Sequence, residues 1–240
     1  MKSYFIFGGA PSMNYGISVE SYPEISFPER VLESYSVPGR NGNLIFDTGA
    51  YGNTTQIYSC WYKPLPGISS YDQIRELSKW LLSPAGYQRL EDTYTPDVYR
   101  MALYAGPADI STFFTKYGRI EIEFNCMPQR WLKAGEVPID ITSGMQLYND
   151  GEPALPLIQV SGSGAGAVSV GNRTVSLSSI PAAGVTIDSD TQNVYSETQN
   201  YNSIATVTGG GFPVLLPGLN NIQYSGGVTA VQITPRWWVL

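Results

Sequence analysis

Residues 119–126 read RIEIEFNC. Ile120, Ile122, Phe124 and Cys126 alternate with Glu121, Glu123 and Asn125. A period of two puts the first set on one face of a strand and the second set on the other. The stretch therefore predicts a half-buried antiparallel strand, and with it a core built on sheets. Upstream, QIYSCWY (56–62) sets Ile57, Ser59 and Trp61 against Tyr58, Cys60 and Tyr62. Both sets carry bulk, so this strand is expected to be covered on both faces. YFIF (4–7), GISVE (16–20), YQRLEDT (87–93) and YRMALY (99–104) read as further strands, punctuated by Gly, Pro and Asn.

One segment breaks the pattern. SSYDQIRELSKWLLSP (69–84) places Ile74, Leu77 and Leu81 at helical spacing, with Tyr71 and Leu82 beside them. Ser69 or Ser70 can cap it, Asp72 sits in its first turn and Pro84 stops it. An amphipathic helix packed on a sheet is predicted.

After residue 132 the composition changes. Residues 1–132 hold 11 Lys+Arg and 13 Asp+Glu, and residues 133–240 hold 3 and 7. The second part is rich in Gly, Ser, Thr and Val. Its short strand signals include PLIQVSG (156–162), AVSVG (167–171), RTVSLSS (173–179), GVTIDSD (184–190) and TAVQITPRWW (229–238). Their spacing predicts a β-sandwich, and the domains are expected to be 1–132 and 133–240. The glycine-rich GSGAG (162–166) lacks a following Gly-Lys-Ser/Thr and a helix, so it reads as strand, not as a phosphate loop.

Composition excludes several functions. The net charge is −6, and no run of five like charges occurs, which argues against nucleic acid as a ligand. Histidine is absent, which removes the commonest general base and metal ligand. Cys60 and Cys126 are expected to be buried free thiols. The apolar run Tyr4–Phe7 is shorter than a signal-peptide core, and no stretch approaches a membrane helix, so synthesis and folding in the cytoplasm are expected. Charged residues make up only 14% of the chain, against 17 Tyr and 5 Trp. That balance suits a surface covered by partner subunits.

Candidate sites are sparse. Glu121 and Glu123 share a strand face but do not flank a space for a sugar ring. Asp188 and Asp190 have Asp-x-Asp spacing, but Asn193 and Gln199 stand where a calcium loop needs Gly and Glu. A hairpin turn is expected there instead. Trp237 and Trp238 could meet a partner or a sugar, although neighbours on a strand face opposite ways, and packing is the preferred role. No catalytic, cofactor or metal site is assigned, and the chain is not expected to be an enzyme. In SYSVPGRNGNLIFD (34–47), Pro38-Gly39 and Asn41-Gly42 are two turn signals around Arg40, between two strand-like runs.

The order of these features resembles the distal tail proteins of long-tailed bacteriophages of Gram-positive hosts, including prophage homologues. The matching stretches are FIFGGAPSMNYGI (5–17), VPGRNG (37–42), IRELSKWLL (74–82), YRMALY (99–104) and IEIEFNCMPQRW (120–131). They continue with YNDGEPALPLIQVSGSG (148–164), VTID (185–188), GFPVLLPGLNNIQYSG (211–226) and ITPRWW (233–238). The resemblance implies a mainly β protein. Its N-terminal β-sandwich would carry one packed helix, and its C-terminal β-sandwich would be galectin-like. It further implies a hexameric ring, single or double, at the virion tail tip, with a channel for DNA in passage. Implied partners are the tail tube protein, the tail-associated hub protein and receptor-binding or other baseplate proteins, with no membrane and no cofactor. Val37, Pro38, Gly39, Arg40, Asn41, Gly42, Asn43 and Leu44 would form the tip of a hairpin arm used in self-association. Two other readings stand beside this one. The first is a lectin-like module for host cell-wall sugar, and the second is a wall hydrolase using Glu121, Glu123, Asp188 or Asp190.

Overall fold

The computed structural model describes residues 3–104, 106 and 118–240. The protein is mainly β, and the chain divides into two compact units, Met1–Arg130 with Leu240 and Trp131–Val239.

The first unit contains β1 (Phe5–Phe7), β2 (Ala10–Pro11), β3 (Ile17–Val19), β4 (Arg30–Tyr35), β5 (Leu44–Tyr51), β6 (Thr54–Tyr62), α1 (Ser70–Leu82), β7 (Gln88–Asp92), β8 (Val98–Tyr104) and most of β9 (Gly118–Leu132). Its main sheet runs in the order β2-β1-β7-β8-β9-β6-β3. The β6–β9 pair is antiparallel, with Tyr58 opposite Ile122 and Cys60 opposite Ile120 on the inward face. Phe5, Phe7, Tyr58, Ile122 and Phe124 fill the core, as the alternation in RIEIEFNC requires.

β6 departs from expectation. Its burial alternates strictly: Tyr58, Cys60 and Tyr62 are enclosed, whereas Ile57 and Trp61 are each 42% exposed. The helix and core lie on one face only, and the bulk on the other face is partly covered, Ile57 by the segment around Tyr22–Glu24 and Trp61 by the Arg119 guanidinium at 4.9 Å. Helix α1 starts where the sequence places it, with the Ser69 hydroxyl accepting from the Asp72 N–H at 3.1 Å. Leu77 and Leu81 are buried, which contributes roughly 1.5–3 kcal/mol each. Tyr71 and Leu82, expected beside them, are exposed. Gln73 and Trp80 complete the packed face instead. Gln73 Nε2 donates to the carbonyls of Tyr15 (2.9 Å) and Lys63 (3.3 Å), and its Oε1 accepts from the Leu65 N–H (3.0 Å). The Trp80 indole N–H donates to the Phe7 carbonyl at 2.9 Å, and its ring stacks on Tyr15 at 4.2 Å.

The second unit contains β10 (Ile139–Ile141), β11 (Gln146–Asn149), β12 (Leu157–Val170), β13 (Arg173–Ile180), β14 (Val185–Asp188), β15 (Asn193–Ser196), β16 (Gln199–Asn200), β17 (Ala205–Thr208), β18 (Gly218–Thr234) and β19 (Trp238–Val239). The path β10-β18-β12-β14-β15-β16 forms the backbone of its sheet, with β11 on β18, β13 on β12 and β17 on β13. Ile158, Val168, Val175, Ile187, Ile222 and Ile233 are among its buried core. GSGAG lies inside β12, where the pairing with β18 shifts register opposite Gly226, Gly227 and Val228. A Cβ on Gly227 would collide with the Ser163 carbonyl, and one on Gly162 with the Gly227 carbonyl. Glycine is thus used here for close backbone approach.

Candidate functional site

The feature that stands apart from both cores is β4–β5. These strands form a separate two-stranded sheet. Leu32 pairs with Asp47, Glu33 with Phe46, Ser34 with Ile45 and Tyr35 with Leu44. Opposed residues share a face, so Leu32 and Ile45 lie on one side and Tyr35 and Phe46 on the other. Leu32, Tyr35, Ile45 and Phe46 are each 50–55% exposed. Their only mutual ring contact is Tyr35 edge-on to Phe46 at 5.7 Å. A lone hairpin is marginally stable in water, and apolar side chains on both its faces call for a covering surface.

The root of this arm is fixed. The Gly52 N–H donates to the Glu29 carbonyl at 2.9 Å. Arg30 pairs with Asp47 at 2.5 Å and lies over the Tyr51 ring at 5.6 Å. The register shifts between Arg30 and Leu32, and the Thr48 hydroxyl donates to the Val31 carbonyl at 2.7 Å within that bulge. The Gly49 N–H and then the Arg30 guanidinium hold the Asp47 carboxyl below the usual range.

The tip resolves the two adjacent turn signals. Val37–Arg40 closes a β-turn through the Arg40 N–H to the Val37 carbonyl at 3.1 Å. Pro38 sets its first central position, and Gly39 takes the second at φ +80°, which only glycine adopts freely. Asn41-Gly42 adds a bend before Asn43, whose amide donates to the Ser34 hydroxyl at 2.8 Å and returns the chain to β5. The Arg40 side chain has no ion pair or hydrogen bond among the described residues. Next to the arm in sequence, Tyr22, Ile25 and Phe27 are also exposed, Phe27 at 76%. A cleft of about 330 Å³ lies between this segment and the outer face of β6–β9, lined by Tyr22, Glu24, Thr55, Ile57 and Glu121 among others.

The remaining candidates separate. Glu121 and Glu123 point outward from β9, opposite Ser59 and Ile57. Asp188 is buried at the end of β14 and pairs with Arg236 at 2.7 Å, followed by the four-residue turn 189–192 into β15. Burial alone would raise the Asp188 pKa, but the hydrogen bonds and charge of Arg236 outweigh it and hold the carboxyl below its ordinary value. Asp190 is exposed in that turn. These two acids therefore serve a hairpin and a structural ion pair. The sequence reading did not find Arg236; its position two residues after the last β18 residue, Thr234, was the available signal. Trp237 and Trp238 are partly buried against the second core, and the Trp238 N–H donates to the Pro153 carbonyl at 3.0 Å. Cys60 and Cys126 are free and buried, and desolvation pushes their thiols up to about 12 and about 11. Six register positions separate them along the β6–β9 pair, roughly 20 Å at strand rise, far beyond a disulfide. Among the described residues no group of three acidic or Cys side chains could hold a metal ion, and no helix is long and apolar enough to cross a membrane.

Residues 15–126 match the family model Sipho_tail, the phage tail protein RIFT-related domain. No curated protein matches the chain. Among solved structures, the chain shares its fold with the SPP1 Dit protein, described as a paradigm of the hub adsorption apparatus in phages infecting Gram-positive hosts. The TM-score is 0.77 at 12% identity, with all of both chains covered. Chains of the phage p2 baseplate in its activated conformation, with Sr and with Ca, give TM-scores of 0.53 and 0.52 at 10% identity, each over 97% of both chains. Residues 15–126 thus resemble a phage tail domain, and the chain as a whole shares its fold with the SPP1 Dit protein.

Proposed function

We propose, on the premise that residues 15–126 form a phage tail domain, that this protein is a structural ring component of the virion tail tip. Six copies close a ring that joins the tail tube to the baseplate hub and leaves a passage for DNA. Residues 1–132 form the ring. Residues 133–240, a galectin-like sandwich, receive receptor-binding or other baseplate proteins. Synthesis takes place in the host cytoplasm. The observation that carries this reading is the β4–β5 arm: a rooted hairpin, apolar on both faces and about half exposed on each, which packs into neither core among the described residues. In a closed ring each arm reaches a neighbouring copy through Val37–Leu44, and a heterologous contact whose rotation closes does not run on into a filament. The outer face of β6, with Ile57 and Trp61, supplies further apolar surface for such contacts.

The test is the native mass of the purified protein. Six copies of 26.2 kDa give 157.2 kDa, and a double ring gives twice that. A monomer that persists at high concentration, and also after mixing with tail tube protein as a template, would remove the ring reading. The sugar-binding alternative would use Trp237 and Trp238, which are both partly buried against the second core.

A further inference from the structure

Asn41-Gly42 is the only Asn-Gly pair in the chain. Both residues are exposed at the arm tip. Gly42 sits at φ +81°, its N–H has no hydrogen bond among the described residues, and the space around it is open. The Asn41 amide likewise has no partner among the described residues. The chain offers an internal contrast at Asp150-Gly151, its only Asp-Gly pair. There the Gly151 N–H is held by the Asn149 side chain at 2.9 Å, and a Cβ on Gly151 would collide with the Trp238 carbonyl. One pair is clamped, and the other is free to rotate.

We infer that Asn41 is a site of spontaneous covalent modification, in which the chain supplies its own nucleophile. The Gly42 backbone nitrogen gives up its proton to solvent base and attacks the Asn41 side-chain carbonyl carbon. The new C–N bond closes a five-membered succinimide, and the amide nitrogen leaves as ammonia. Water then opens the ring at either carbonyl, leaving an aspartate or, through the side chain, an isoaspartate at position 41. Glycine favours the attack because it has no Cβ to obstruct the approach. The product places a carboxylate one residue from Arg40 and cancels the only charge in the loop between β4 and β5. The isoaspartate route also inserts a methylene into the tip backbone.

The experiment uses the full chain, diluted until it sediments as a monomer so that no neighbouring copy covers the arm tip, incubated at mildly alkaline pH in heavy-oxygen water and sampled by peptide mapping. The expected result is a gain of about 1 Da, plus the isotope label, in the peptide holding Asn41. Conversion there should be ~10-fold faster than at the next asparagine, the advantage of a neighbour with no Cβ, and Gly42→Ala should slow it towards the rate of the other asparagines. Conversion at Asn41 no faster than elsewhere, or the same rate in Gly42→Ala, overturns the inference. Asn41→Gln serves as the control that assigns the signal to this position.

Discussion

Replacing Phe46 by serine separates assembly from folding. Phe46 is 51% exposed and lies outside both buried cores. Fully burying a phenylalanine is worth roughly 1.5–3 kcal/mol, so about half of that, ~1 kcal/mol, is still to be gained at an interface. At 1.4 kcal/mol per tenfold, each contact between copies weakens about fivefold. A ring closes through six such contacts, so the whole assembly loses on the order of 6 kcal/mol. Folding should hardly change, because surface substitutions away from a core fall within about ±0.5 kcal/mol. Ile45→Ser probes the opposite face of the arm, since Ile45 shares its side with Leu32 and not with Tyr35. Sedimentation velocity across a dilution series reads the association, and thermal melting of the dissociated chain reads the fold. If one face meets a neighbour, one variant dissociates earlier; if the arm is sandwiched, both do. Neither variant moving the dissociation curve would refute the assignment of the arm to an interface. A melting temperature lowered as by a core deletion would show that the arm is part of the fold.

Gln73→Ala strips partners from the Leu65 N–H and from the Tyr15 and Lys63 carbonyls, and should cost ~2–4 kcal/mol in urea unfolding followed by Trp61 and Trp80 fluorescence. Asp188→Asn leaves Arg236 largely enclosed without its counter-charge, with an expected loss of ~2–3 kcal/mol from the second unit. Because the folded-state pKa of Asp188 is depressed, its contribution is complete above the ordinary aspartate value of about 3.9. It fades as pH falls through the lower folded value, so wild type and variant should converge in acid-unfolding curves at low pH. Cys60 and Cys126, protonated and buried, should resist a thiol-reactive dye in the native protein and react on unfolding, which a dye titration in and out of denaturant measures directly.

How far the sequence could be read follows from which forces are local. The β9 alternation and the Ser69 cap depend on neighbours within a few residues, and both appear in the fold. The Pro38-Gly39 turn is equally local, since one residue fixes φ and the next tolerates a positive φ. Gln73 was invisible to a hydrophobic period because it is buried through hydrogen bonds, not apolar area. Tyr71 and Leu82 misled for the converse reason: an apolar residue beside a buried stripe need not face the core, and here both face outward. The outer face of β6 was read as covered because Ile57 and Trp61 are bulky, yet bulk alone does not say whether cover comes from the same chain. The arm has the same ambiguity. Its residues look like an ordinary strand pair, and only the three-dimensional structure separates them from both cores.

The glycine contact between β12 and β18 has a consequence for how the second unit finds its fold. These strands lie about fifty residues apart in the chain, so their pairing is a long-range search, slow to nucleate and open to slipped alignments. At Gly226 and Gly227 the facing backbone leaves no room for a Cβ. Sliding β18 by one or two residues in either direction would bring Ser225, Val228 or another side-chain-bearing residue into one of those two places. Each misaligned pairing therefore meets backbone before its hydrophobic contacts can form, while the correct one does not. The glycines work as a key: they exclude the neighbouring registers and leave a single alignment in which the two longest strands of the unit can close.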